Sequence, residues 1–212
     1  MCIKEMFTLE ENLKHIGRQA IFFDFDGTLV NSANVKLEAF FEIYNSYGFL
    51  NEATRRYLIK KSSFPRVLKL EKLQEISRID ISIDQIMFDF DNILKIKLDN
   101  ADLIPGSYDY LRRSRYLGIP MFLISAAPEQ EVVRNLKKFN LQDCFEKVVC
   151  DCYDKSSTLE HLINLQNIDI KYSRYFGDSE ADYIAAKDNG VRYMNIGLSN
   201  YSCYVKNFLE LI

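Results

Sequence analysis

Residues 20–23, Ala-Ile-Phe-Phe, form an uninterrupted apolar run that stops at Asp24-Phe25-Asp26-Gly27-Thr28, and this junction constrains the fold more than any other stretch. A short continuous apolar segment suits a strand covered on both faces, as strands are inside a parallel sheet. Its abrupt end in two carboxylates is equally informative. Residues two apart on extended chain point the same way, so Asp24 and Asp26 face one space while Phe25 points away. Ligands of open parallel sheets bind outside the carboxyl ends of the strands. Gly27 permits a tight turn there that leaves backbone N–H groups free for an anion.

The remainder of the chain supplies such a sheet. After Pro105-Gly106 the pattern runs helix to Gly118, strand 120–124, helix through 139, strand 145–149, a further helix, strand 174–178, a helix ended by Gly190, and strand 193–196. This is the rhythm of βαβ units. Residues 34–100 carry only helical patterns. Val35, Phe40, Ile43, Tyr44 and Tyr47 form one stripe up to Gly48, and further stripes occupy 52–62, 65–77 and 83–98, the last opening on a Ser82/Gln85 capping pattern. Thr8 and Glu11 predict a short helix ending at Gly17. The fold expected is α/β: a doubly wound parallel sheet, Rossmann-like, from residues 1–33 and 101–212, with an all-helical insertion of 34–100 directly after the first strand.

Composition narrows the partners. With 212 residues, 48% of them hydrophobic, the chain can bury a sizeable core. Lys and Arg number 27 against 30 Asp and Glu, net charge -3, and no basic run is interleaved with aromatics, which argues against nucleic acid. No apolar run reaches the roughly 18 residues a membrane span needs. Glu10, Glu11 and Lys14 stand where a signal peptide would be apolar, so a cytoplasmic protein without a membrane partner is expected. Five cysteines, an odd number widely spread, read as reduced thiols. Cys150-x-Cys152 lacks the partner pair a metal site needs, and neither His15 nor His161 has the setting of a Ser-His-Asp triad.

A second acidic motif, Gly177-Asp178-Ser179-Glu180-Ala181-Asp182, again follows a strand-like run. At a helix start, the spacing of Asp178 and Asp182 lets both carboxylates approach one point. Carboxylates gathered from separate strand ends repel unless a hard cation lies between them, and Mg²⁺ takes oxygen ligands together with substrate phosphate. An Mg²⁺ site is therefore expected. Between the motifs lie Ser125, at a strand tip, and Lys155, just before a predicted helix. A hydroxyl and an ammonium suit a phosphoryl oxygen that gains charge.

In these four segments, Asp24-Phe25-Asp26-Gly27-Thr28-Leu29-Val30, Ser125, Lys155 and Gly177–Asp182, the chain closely resembles the haloacid dehalogenase-like hydrolase superfamily. The resemblance runs over nearly the whole sequence. It implies that Asp24 attacks phosphorus to form an aspartyl-phosphate, and that Asp26 protonates the leaving alcohol and then activates water. It further implies phosphate contacts from Ser125, Ala126 and Lys155, with Thr28 shaping the loop, and Mg²⁺ held by Asp24, the Asp26 carbonyl and Asp178, assisted by Asp182. The insertion resembles the small helical cap of the phosphoglycolate phosphatase-like branch, which excludes water and carries substrate choice. A dehalogenase has no leaving alcohol to protonate, so Asp26 points to phosphoryl transfer and a small phosphorylated metabolite as substrate. The chain departs from the family pattern at Asn31, where Leu29-Val30-Asn31-Ser32 replaces Leu-x-Asp-Ser, at Ser156 after the lysine, and in the absence of glycine from 60–66; these differences bear on the substrate more than on the chemistry.

Plainer readings exist for several residues. Asp178 and Asp182 also suit a helix N-terminus, and Asn31 suits a cap. Asp89-Phe90-Asp91 repeats the acidic triplet inside a helical stripe without the following Gly-Thr, so its aspartates are expected to face water. Lys61 and Arg66 could meet a second anionic group of the substrate or belong to a solvated basic face. Two other functions share the fold: a phosphomutase, in which valine often replaces the threonine after glycine, and a non-catalytic binding protein, in which loss of a motif residue is expected.

Overall fold

The computed structural model describes residues 18–60, 66–77, 80–98, 100–197 and 204–211. The helix expected after Thr8 and the residue Lys61 lie outside them. The chain divides into two compact units, one of Met1–Leu29 with Leu103–Ile212 and one of Val30–Asp102.

The first unit is a parallel sheet of six strands: β1 Ile21–Phe23, β2 Met121–Ile124, β3 Lys147–Val149, β4 Arg174–Gly177, β5 Arg192–Ile196 and β6 Tyr204–Val205, in the order β3-β2-β1-β4-β5-β6. All neighbouring strands run parallel, and the order reverses direction at β1, as a doubly wound sheet requires. Helices α5 Ser107–Tyr116, α6 Glu129–Lys138, α7 Lys155–Gln166 and α8 Glu180–Asp188 alternate with the strands.

Burial on both faces explains why β1 is wholly apolar. Phe22 lies in a cluster with Leu159 and Leu162 of α7 and Ala185 and Ala186 of α8. Its ring stacks on Phe122 at 5.3 Å and on Tyr175 at 6.5 Å. Phe23 points to the opposite face. There it stacks on Phe176 at 5.3 Å and meets Tyr110 of α5 and Phe208 at 6.3 and 6.2 Å. Registered parallel strands thus place aromatic rows beneath and above the strand that ends in Asp24, and each offset ring pair adds about 1 kcal/mol beyond its area burial.

The second unit contains α1 Ala33–Ser46, α2 Glu52–Lys60, α3 Arg66–Ser77 and α4 Ile83–Leu98. Ile86, Phe90, Leu94 and Leu98 form the buried stripe of α4, and Phe90 meets Phe40 of α1 at 4.2 Å. Ser82 accepts the Gln85 backbone N–H at 3.2 Å, but the Gln85 side chain donates to Asp89, so only half of the capping box forms. Asn31 does not cap α1. Ser32 occupies the N-cap position without a side-chain bond, and the Asn31 backbone N–H donates to the Asp102 carbonyl at 2.9 Å. Strand β6 and the short 3₁₀ turns at Ile170–Tyr172 and Phe208–Glu210 were not anticipated from the sequence. Among the described residues, no helix is long and apolar enough to cross a membrane.

Candidate active site

Strand register gathers the motifs at one end of the sheet. Phe23 is level with Leu123 and with Phe176, so Asp24, Ser125 and Asp178 all follow the carboxyl ends of adjacent strands. The Asp24 N–H continues the ladder by donating to the Phe176 carbonyl at 2.8 Å. The chain then turns. Leu29 N–H donates to the Phe25 carbonyl at 2.9 Å, and Gly27 takes φ 80°, a conformation that costs glycine little. Thr28 Oγ1 reaches Asp24 Oδ2 at 3.3 Å, and Asp26 is half-exposed.

Lys155 is the centre of the polar network. Its Nζ donates to Asp24 Oδ1 at 2.6 Å and to Asp182 Oδ1 at 2.7 Å, and the side chain is only 8% exposed. As the first residue of α7 it puts a cation at the positive end of a helix dipole, where a cation is disfavoured. The two carboxylates offset that cost. Burial opposes its charge, yet the Asp182 and Asp24 carboxylates outweigh burial and hold the ammonium well above its ordinary pKa.

Asp182 accepts four hydrogen bonds. Ser179 N–H and Oγ–H donate to Oδ2 at 3.1 and 2.5 Å, while Lys155 and the Tyr175 hydroxyl, at 3.0 Å, donate to Oδ1. With Ser179 it closes a capping box at the start of α8, so the capping role and the place in the cluster coexist. Gly177 makes the close approach possible, because a Cβ there would lie 2.4 Å from Asp182 Cβ. Gly177→Ala is therefore expected to lower stability by about 2 kcal/mol through overpacking, measured by urea unfolding, and to weaken divalent-cation binding with it.

The loops carrying Ser125 and Lys155 are laced together. Ser125 N–H donates to the Val149 carbonyl at 2.8 Å, Cys152 N–H to the Ser125 carbonyl at 3.0 Å, and Asp151 N–H to the Ala127 carbonyl at 2.9 Å. Ser125 is fully buried. Its hydroxyl accepts the Ala127 N–H at 3.0 Å, leaving its own hydrogen to donate, and Ala126 stands half-exposed between the two.

The donor set fits a hard divalent cation. One oxygen each of Asp24, Asp178 and Asp182 lie within 4.8 Å of one another, and all are carboxylate oxygens. Asp178 accepts no hydrogen bond among the described residues. Burial, then the charges of Asp182 and Asp26, push the Asp24 carboxyl up to about 7 against the pull of Lys155. Burial followed by Asp24 and Asp182 also raises Asp178 well above the carboxylate range. A cluster that prefers protons when no cation is present is one in which a cation relieves repulsion. Because the folded-state value of Asp24 lies above the unfolded value, its contribution to stability is full below about pH 4 and is lost as pH rises through about 7. Metal-free protein should thus weaken across that window. Added Mg²⁺ should raise the melting temperature far more at pH 8 than at pH 5, with proton release on binding measured by calorimetry.

Of the residues singled out in the sequence, Asp24, Thr28, Lys155, Asp178 and Asp182 meet in this cluster, with Asp26, Ser125 and Ala126 at the same end of the sheet. Arg66 belongs to α3. In the helical unit its guanidinium pairs with Asp91 and lies 4.5 Å above the Phe90 ring. The repeated acidic triplet is likewise engaged there: Asp89 accepts from Tyr47 and Gln85, so only Asp91 is exposed. Three supporting residues were not recognised in the sequence: Tyr175, Tyr193 and Asn195. Tyr193 donates to the Gly177 carbonyl at 3.0 Å, and Asn195 Nδ2 donates to Tyr193 Oη at 3.0 Å, which steadies the backbone before Asp178. Their only trace in the sequence is a polar head inside an apolar strand.

A doubly wound α/β protein with carboxylates and an ammonium converging at the strand ends defines a class of hydrolase. A family model described as haloacid dehalogenase-like hydrolase matches residues 21–196, and the chain belongs to that family. A search of curated proteins found no match. Among solved structures, β-phosphoglucomutase (pgmB) from Clostridium difficile aligns with TM-score 0.75 at 16% identity, over 92% of this chain and 93% of that one. CbbY from Rhodobacter sphaeroides in complex with phosphate aligns with TM-score 0.74 at 17% identity, over 91% and 96%. A predicted phosphoglycolate phosphatase from Haemophilus somnus gives TM-score 0.66 at 15% identity, over 92% of each chain. At these identities the likeness is one of fold.

Proposed function

We infer that this chain is an Mg²⁺-dependent phosphatase that hydrolyses a small phosphomonoester by way of an aspartyl-phosphate. The observation that carries the reading is Asp24, in one buried cluster with Asp178 and Lys155, with two of these three groups able to share a cation. In the first step an Asp24 oxygen forms a bond to phosphorus as the phosphorus–oxygen bond to the alcohol breaks, and Asp26 gives the leaving oxygen its proton. In the second, Asp26 takes a proton from water, water oxygen bonds to phosphorus, and the Asp24 carboxylate leaves. Half-exposure suits Asp26 to exchanging protons in both steps. Lys155 and Ser125 donate to phosphoryl oxygens as charge builds on them. Asp24 and Asp178 would hold Mg²⁺, with Asp182 setting Lys155 beside it; the ion would supply charge neutralisation at the phosphoryl group.

The neighbouring structures bound to phosphate or named for phosphorylated compounds accord with this substrate class, and the helical insertion is the natural carrier of substrate choice. The test is release of inorganic phosphate from p-nitrophenyl phosphate, with and without Mg²⁺. Absence of Mg²⁺-dependent release across a broad panel of phosphomonoesters would refute hydrolysis and favour a binding protein. Isomerisation of a sugar phosphate without free phosphate, in the presence of a sugar bisphosphate, would instead establish a mutase. The hydroxyl of Thr28 against Asp24 sits where mutases often carry valine, which favours water as acceptor.

A further inference from the structure

Lys155 has two fixed partners, Asp24 and Asp182, and the reaction proposed above removes one of them. When Asp24 becomes esterified its carboxylate charge passes to the phosphoryl group, and among the described residues Asp182 is left as the carboxylate anchor of the ammonium. What holds Asp182 then decides where Lys155 points. Ser179 fixes Oδ2. The other oxygen, Oδ1, receives Lys155 at 2.7 Å together with one further donor, the hydroxyl of Tyr175 at 3.0 Å.

Tyr175 is fully buried in β4, one strand position level with Phe22 and Tyr193. Its ring belongs to the aromatic row under β1, so packing alone would be served by phenylalanine. The hydroxyl is surplus to packing. Burying it without a partner would cost about 1–3 kcal/mol, and the partner it meets is the oxygen that binds Lys155. The geometry points to Tyr175 as a positioning residue for phosphoryl transfer: by donating to Asp182 Oδ1 it shares that oxygen with Lys155 and keeps the ammonium directed at the transferring group. Without the phenol, Oδ1 turns its whole charge on Lys155. The ammonium is drawn toward Asp182 and away from the phosphoryl oxygens. The effect falls on the transition state, where those oxygens gain charge, more than on bound substrate.

This inference rests on the phosphatase reading, and the experiment separates the two. Steady-state kinetics on wild type, Tyr175→Phe, Asp182→Asn and the double variant are measured at saturating Mg²⁺. Tyr175→Phe should lower kcat about ten-fold, the loss expected for one hydrogen bond to a charged group, with KM changed less than about two-fold. In the Asp182→Asn background the same change should have no further effect, since the phenol acts through the carboxylate. An active wild type with kcat unchanged in Tyr175→Phe, or an equal loss in both backgrounds, overturns the positioning role alone. An inactive wild type overturns both readings. Should Tyr175→Phe not fold, 3-fluorotyrosine at the same position keeps the shape and makes the phenol a stronger donor. There a kcat shift of at least about two-fold at constant KM is expected; an unchanged kcat overturns the role, because a ring that only fills space is indifferent to phenol acidity.

Discussion

Asp24→Asn is expected to reduce Mg²⁺-dependent phosphate release by at least about 10⁴-fold, the scale seen when a covalent nucleophile is removed. The amide has nearly the shape of the carboxylate, so the turn through Gly27 and the ladder bond from the residue 24 N–H to the Phe176 carbonyl should persist. Stability should move the other way. In the absence of a cation the charge of Asp24 opposes folding, first by burial and then by repulsion from Asp182 and Asp26, and an amide removes that opposition while Lys155 keeps Asp182 as a partner. Metal-free Asp24→Asn should accordingly unfold at a higher temperature than metal-free wild type at pH 8, and gain less from Mg²⁺. Lost activity in a better-folded protein separates removal of the nucleophile from damage to the fold. A variant that retained activity would exclude Asp24 from covalent catalysis.

Lys155→Ala is expected to cost both folding and turnover. The side chain is 8% exposed and touches two carboxylates that are themselves 7% and 0% exposed. Removing one partner from a buried charge network leaves the others uncompensated, at about 3–5 kcal/mol. Turnover should fall about 10²–10³-fold, the range for one donor to a transition-state oxyanion. Because a divalent cation can replace part of the missing positive charge, Mg²⁺ should raise the melting temperature of this variant more than that of wild type. Thermal unfolding with chelator and with Mg²⁺, beside kinetics at saturating metal, measures both effects. Equal metal response in the two proteins would place Lys155 outside the electrostatics of the cation site.

Most of the architecture was legible because the strands under the site are apolar on both faces and the turns are punctuated by glycine. The run before Asp24 reads as buried strand, and the opposite orientations of Phe22 and Phe23 account for it. Convergence of the acidic motifs was also legible, since both follow strands whose carboxyl ends a parallel sheet collects. Other features were hidden for definite reasons. Strand β6 has two residues, too few for any periodicity. Tyr175 and Tyr193 are strand aromatics whose hydroxyl roles depend on cross-strand register with Phe22 and on the turn after Gly177, neither of which periodicity supplies. Asn31 resembles a cap by residue type, but its backbone N–H bonds to Asp102 while the helix begins one residue later than that reading needs. Arg66 was one of several exposed-looking cations in a basic stretch, and only tertiary packing reveals its pairing with Asp91.

Both outermost strands of the sheet are short, three residues in β3 and two in β6. A foreign extended chain seeking to add itself there would find only a few free amides and carbonyls, and Lys147 stands exposed at one of those margins. Blunted borders of this kind discourage lateral stacking of sheets from different molecules. The strands that lead into Asp24, Ser125 and Asp178 lie inside the sheet, each already paired on both sides.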